Sequence, residues 1–176
     1  MSYELLSSGK NPPHSISVMI EISGQSGPIK YEYNKSTGTL AVDRIMKTAM
    51  HYPCHYGFMP HTLCLDGDPL DVLVLTPYTL MPGSIIECRP IGVMDMEDES
   101  GMDAKVIAVP VSKVCQDYDH INDISDLPKG LVKSIQHFFE HYKDLDEGKW
   151  VKIGAIKGRD DAYKEIIAAI DLAKST

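Results

Sequence analysis

Three carboxylates stand within one six-residue turn, Asp66-Gly67-Asp68-Pro69-Leu70-Asp71, which runs directly into the apolar stretch Val72-Leu73-Val74-Leu75. Carboxylates this close repel one another, and some stay protonated unless cations neutralise them. Magnesium suits such a cluster, because it takes hard oxygen ligands in octahedral geometry. The plain alternative is a solvated acidic turn, but here a strand with the look of a buried one follows at once. An EF-hand is excluded by spacing: its loop wants an oxygen side chain at position five, glycine at six and glutamate at twelve. Counted from Asp66, those places hold Leu70, Asp71 and Pro77.

A second acidic group follows, with Asp95, Glu97, Asp98, Glu99 and Asp103 around Gly101 and Lys105 just beyond. Alone it reads as an exposed charged loop. Beside the first group it could supply the other half of a multi-metal site. A small, highly charged phosphate compound also needs fixed cations and hydrogen-bond donors around its free oxygens. Arginine offers a planar donor fork and lysine a point charge. Candidates are Lys30 and Arg44 beside acidic residues on strands, Lys105, and Tyr142-Lys143 at the end of a helix. Tyr52 and Tyr56 add phenols in His51-Tyr52-Pro53-Cys54-His55-Tyr56-Gly57. Each has a bland reading as a surface ion pair or a core residue, and their value is joint. No G-x-x-x-x-G-K-[ST] loop, strand–G-x-G-x-x-G–helix unit or H-E-x-x-H pair is present, nor a G-x-S-x-G elbow.

The elements that must position these groups are mostly strands. Ile16, Val18, Ile20 and Ile22 alternate with polar or flexible residues, which predicts a half-buried strand with Glu21 on its polar face. Ile29–Asn34 and Leu40–Met46 are two more candidates, with Lys30 and Glu32 on one face. Residues 72–75, 84–93 and 106–111 complete the set. Leu131, Ile135, Phe138, Phe139 and Tyr142 follow helical spacing, with Asp126 as cap and Pro128 in the first turn. Tyr163, Ile166, Ile167, Ile170 and Ala173 predict a second helix capped by Asp160. The class is α+β, mainly β: a small barrel with two flanking helices.

Size and composition bound the rest. The 176 residues fit one domain, 1–176, and the formal charge of −8 argues against a nucleic-acid partner, which would call for a basic excess. No apolar run approaches the ~20 residues that span a bilayer. The N-terminus lacks the pattern of a secretion signal, and four scattered cysteines read as free thiols, so a cytoplasmic location is expected. His51, Cys54, His55, His61 and Cys64 crowd together like a zinc site, but their spacing matches no usual finger.

In order along the chain, Pro28-Ile29-Lys30-Tyr31-Glu32, Val42-Asp43-Arg44, Tyr52 to Gly57, Asp66 to Val72, Arg89-Pro90-Ile91-Gly92, Asp98 to Lys105, His141-Tyr142-Lys143 and Gly148-Lys149-Trp150 resemble the soluble family I inorganic pyrophosphatases of bacterial type. The resemblance covers nearly the whole chain, and its most specific segment is the Asp66–Asp71 run. It implies a five-stranded OB-like barrel and a hydrolase that splits pyrophosphate into two phosphates with metal-activated water and no covalent intermediate. It implies that Asp66, Asp71 and Asp103 hold metal, and that Asp98 and Glu21 join further metal sites. Asp68 matches the carboxylate that accepts the proton of the attacking water. Lys30, Arg44, Tyr56, Tyr142 and Lys143 match phosphate contacts, while Glu32, Tyr52 and Lys105 match other residues of the pocket. Several Mg2+ ions per subunit are implied, with Mn2+ a substitute, in an enzyme of phosphate metabolism. His55 stands where many relatives would carry Asn. The resemblance also implies a homohexamer built as a dimer of trimers, with His137 and His141, one turn apart on a helix, at a subunit contact. Two rivals remain: a metal-dependent phosphatase acting on organic esters, and a non-catalytic OB-type binding module. The acidic charge and 7% aromatic content argue against the second.

Overall fold

The alternation of Ile16–Ile22 becomes strand β1. In the computed structural model, which describes residues 2–175, there follow β2 (Ile29–Asn34), β3 (Thr39–Ile45), β4 (His55–Phe58), β5 (Asp71–Val74), β6 (Ile85–Asp98), β7 (Gly101–Met102), β8 (Lys105–Pro110), helix α1 (Lys129–His141), β9 (Val151–Gly158) and helix α2 (Arg159–Ser175). Strand β1 pairs with β4 and β6, β4 with β5, β5 with β8, and β8 with β6, so five strands close into a ring. This is the expected OB-like barrel with two helices. Only the β5–β8 pairing in the ring is parallel. Strands β7 and β9 extend the sheet along the far half of β6, and β2 and β3 form a separate hairpin.

Pleating sends successive side chains to opposite sides. Leu73, Leu75, Ile107 and Val109 pack with Ile135, Phe138 and Phe139 of α1. Val72, Val74, Val106 and Ala108 pack with Ala162, Ile166 and Ala169 of α2. Burying each large side chain of this kind contributes about 1.5–3 kcal/mol. Because β5 and β8 are covered on both sides, they read in sequence as continuous apolar runs. A third cluster, with Leu6, Met19, Tyr33 and Phe58 at its centre, fastens the hairpin to the barrel.

Several local expectations are corrected. Glu21 is buried, because the hairpin covers that face of β1 and the Tyr33 N–H donates to its carboxylate. Asp126 does not cap α1: its carboxylate accepts the N–H groups of Asn122 and Asp123 inside the 3-10 turn Ile124–Asp126, and Pro128 stands at the cap position. Asp160 lies in the first turn of α2, and the Arg159 N–H donates instead to Asp123. The buried side of α2 is Ala162, Ile166 and Ala169, and Ile167 faces out. Residues 95–98 belong to the end of β6 rather than to a loop, with Asp95 paired to Lys157 of β9 at 2.6 Å. His55 uses both ring nitrogens on backbone: the Gly24 N–H donates to Nδ1 and Nε2 lies 2.9 Å from the Tyr78 carbonyl, which accepts its proton. Neither nitrogen is left for a metal.

Among the glycines, Gly57 has the nearest backbone neighbour. A Cβ there would meet the Met19 carbonyl oxygen at 1.9 Å, and β1 could yield only by separating from β4. Gly57→Ala is therefore expected to destabilise the protein by at least about 3 kcal/mol. Thermal unfolding would show a midpoint lowered by roughly 6–12 °C, and an unchanged midpoint would contradict the packing.

Candidate functional site

The parallel pairing of β5 with β8 is in register at Asp71 and Lys105, so sequence-distant neighbours of opposite charge meet at the mouth of the barrel. Lys105 is buried, and its Nζ lies 2.6 Å from Asp71 Oδ2 and 2.9 and 3.0 Å from the two oxygens of Asp103. Tyr56, on the adjacent β4, donates to the same Asp71 oxygen at 2.5 Å. Burial alone would draw the Lys105 proton off; Asp71 and Asp103 outweigh it and push the pKa well above the usual lysine range. Burial raises the Asp103 carboxyl, Lys105 opposes the rise and Asp71 adds to it. Burial and then Asp71 hold the Tyr56 phenol protonated, so it remains a donor.

The β6–β7 turn and the end of α1 build a second group. Asp98 Oδ1 accepts the Ser100 N–H, which shapes the turn, while Oδ2 receives Lys143 Nζ at 2.6 Å. Lys143 follows Tyr142, the C-cap of α1, at the helix end where a cation is favoured. Glu99 bridges Lys143 at 3.3 Å and Lys149 at 3.2 Å. Burial pushes the Glu99 carboxyl up, but its own backbone N–H and the two lysines win and hold it at about 2.

The hairpin brings the remaining cations. Lys30 and Arg44 are cross-strand partners, and Asp43 lies 3.3 Å from Lys30 and 3.8 Å from Arg44. The Arg44 Nε–H is buried without a partner among the described residues, a donor that costs free energy until an acceptor arrives. Burial pushes Glu21 up to about 8, against the bond from Tyr33. In the acidic loop, Asp66 Oδ1 accepts the Asp68 N–H at 3.0 Å, and Gly67 between them has φ 92°, which a side chain rarely tolerates. Burial raises Asp66 also, with Asp103 and Asp68 repelling its charge. The Asp68 side chain is exposed.

These groups line one open cleft of about 260 Å³, and every expected site residue borders it except Tyr52. Tyr52 lies one layer behind, its ring 4.8 Å from Phe138 and 6.0 Å from Tyr56, its hydroxyl directed to the Met46 sulfur. Among the described residues the lining holds eight carboxylates (Glu21, Glu32, Asp66, Asp68, Asp71, Asp98, Glu99, Asp103) and six cations (Lys30, Lys35, Arg44, Lys105, Lys143, Lys149). A net negative cleft with upward-shifted carboxyls fits added divalent cations. The donors are hard oxygens, and no histidine or cysteine lines the cleft among the described residues, which fits magnesium or manganese better than a thiophilic metal. No trio of such ligands is already closed into a metal cage among the described residues; Lys105 instead holds Asp71 and Asp103. Sequence reasoning gave no site role to Tyr33, Lys35, Phe58, Pro69, Glu99, Ser100 or Lys149. Glu99 carried a signal in the second acidic group and Lys149 in Gly148-Lys149-Trp150, whereas Tyr33 and Lys35 carried none.

The sequence profile of the family described as inorganic pyrophosphatase matches residues 18–174. The inorganic pyrophosphatase of Escherichia coli K12 is 55% identical over 175 residues, covering 99% of each chain. The solved structure of the Coxiella burnetii inorganic pyrophosphatase is 49% identical, covers 95% of this chain and 99% of its own, and superposes with a TM-score of 0.92. That of Thermus thermophilus is 45% identical, covers 99% of both chains and gives a TM-score of 0.93. With the closed barrel, the charged cleft and these likenesses together, the chain belongs to the inorganic pyrophosphatase family.

Proposed function

We infer that the chain, acting as one domain, hydrolyses inorganic pyrophosphate to two phosphates by direct attack of water. The observation that carries this is the convergence of Asp66, Asp68, Asp71 and Asp103 with Lys30, Arg44 and Lys143 on one cleft. Among its lining residues only Phe58 and Pro69 lack a polar group, which leaves little surface to hold the organic part of an ester. Among the described residues Ser100 is the one serine of the lining and no histidine stands beside it there, which favours attack without a covalent intermediate. The acidic cleft likewise disfavours the non-catalytic oligonucleotide-binding reading.

Family membership implies a divalent metal, and we assign it as Mg2+, with Mn2+ able to substitute. Asp66, Asp71 and Asp103 would hold it, with Asp98 and Glu21 at further positions. When bound, such ions supply charge neutralisation and a water of lowered pKa. Asp68 takes the proton of the attacking water on its exposed carboxylate. Lys30, Arg44 and Lys143 hold the phosphate oxygens, and the Arg44 Nε–H gains its missing acceptor there. Tyr142 donates to substrate from a phenol kept protonated chiefly by burial, and Tyr56 contacts substrate once its single proton turns away from Asp71. Lys105 fixes Asp71 and Asp103, and Glu32 completes the rim. Asp68→Asn is expected to lower kcat by about 10²–10⁴-fold with the fold intact. Phosphate release from pyrophosphate, with p-nitrophenyl phosphate as comparison, checks this. An unaffected variant would remove Asp68 as base, and faster turnover of the ester would overturn the substrate assignment.

We further assign a homohexamer, a dimer of trimers, with His137 and His141 at a subunit contact. Both are exposed on α1 with ring centroids 4.6 Å apart, and His141 Nδ1 lies 2.7 Å from Asp144. Imidazoles gain positive charge on acidification, so a contact that brings histidines of two subunits together loosens as pH falls. Sedimentation is expected to show the hexamer at pH 8 and a smaller species at pH 5. Identical mass at both would refute the assignment. Four free thiols suit a reducing compartment, and no helix among the described residues is long and apolar enough to cross a membrane. We place the chain in the cytoplasm.

A further inference from the structure

Tyr3, which does not itself border the cleft, touches most of what joins its two halves. Its ring lies 6.4 Å from that of Tyr33 on the hairpin, 6.3 Å from Phe58 on β4 and 5.0 Å from His61, and Lys35 Nζ stands 5.6 Å over it. Tyr33, Lys35 and Phe58 all border the cleft. The Tyr3 hydroxyl accepts the His61 backbone N–H at 2.8 Å, and His61 Nε2 in turn donates to the Leu6 carbonyl at 2.9 Å.

His61 has φ 57°, in the left-handed region that a residue with a side chain enters only when its surroundings hold it there. It begins the loop that presents Asp66 and Asp68. That loop is closed on itself at its base by the Met59 N–H donating to Leu70, the Leu70 N–H donating to Thr62 and the Cys64 N–H donating to Asp68. Its entry, however, is fixed from outside by the N-terminal segment. The same ring packs against the hairpin that carries Lys30 and Arg44, which otherwise meets the barrel through few elements.

We propose that Tyr3 is a positioning residue for the hydrolysis: its hydroxyl sets the entry of the acidic loop through His61, and its ring sets the cation-bearing hairpin through Tyr33 and Lys35. The two halves of the side chain therefore govern different kinetic quantities. This rests on the acidic loop holding metal and the hairpin holding substrate.

The test is steady-state kinetics of the full chain at 25 °C, with thermal unfolding alongside, for wild type, Tyr3→Phe and Tyr3→Ala. Tyr3→Phe keeps the stacking and loses the hydroxyl; the half-saturating magnesium concentration is expected to rise about threefold with KM for pyrophosphate unchanged. Tyr3→Ala is expected to raise both, KM by about fivefold. If Tyr3→Ala does not fold, Tyr3→Phe decides alone. Variants with a lowered unfolding midpoint but wild-type KM and magnesium requirement would make Tyr3 merely structural and overturn the proposal. A wild type indifferent to magnesium would overturn the metal reading of the loop and this proposal with it, so the two failures are distinguishable.

Discussion

The ammonium of Lys105, buried between Asp71 and Asp103, is the interaction on which the rest of the site depends. Two carboxylates so placed in a poorly solvated mouth would repel, and one would take up a proton. The lysine opposes this with three short contacts of 2.6–3.0 Å. A buried pair of this kind is weak evidence for stability, since desolvation offsets much of the attraction. Its value lies in placement: one ammonium holds both carboxylates side by side on the cleft.

The fold supplies that placement through strand register, with the short β7–β8 connection presenting Asp103. The parallel β5–β8 pairing sets Asp71 beside Lys105, and the antiparallel β4–β5 pairing brings Tyr56 within reach. The β6–β7 turn places Asp98 and Glu99, and the C-terminus of α1 presents Lys143 to both. Ladders hold Asp71 and Asp98, loops hold Asp66, Asp68 and Asp103, and the cations Lys30 and Arg44 arrive on a hairpin with its own small sheet. One half of the site is thus built into the barrel and the other fastened to it, chiefly by the aromatic cluster of Tyr33 and Phe58.

Much of this was legible in the chain because the signals were local. The alternation of Ile16–Ile22, the apolar runs of β5 and β8 and the helical stripe of Ile135, Phe138 and Phe139 each report burial directly. The Asp66–Asp71 run announced its chemistry by crowding. Strand β4, His55–Phe58, escaped notice because it is four residues long, contains Gly57 and is covered on more than one side. Strand β9 was missed because Gly154 interrupts its alternation and much of it is exposed. The stretch 95–98 looked like a loop because its charges pair across the sheet, as Asp95 does with Lys157, a relation invisible along the sequence. Convergence of the basic residues was hidden for the same reason, since Lys30, Lys105 and Lys143 meet only through long-range pairing. The buried Glu21 was misjudged because the hairpin that covers it is itself a tertiary feature.

The most direct test of the central claim is the thermal unfolding of Lys105→Met, a neutral side chain of similar length, in chelator and in excess magnesium. Removing one partner of a buried ion pair costs about 3–5 kcal/mol. The variant should therefore be strongly destabilised in chelator and should regain more stability from magnesium than wild type does, because the bared carboxylates then rely on the added cation. A variant as stable as wild type in chelator, or one that magnesium leaves no more stabilised than wild type, would contradict the role given to Lys105 and its two carboxylates.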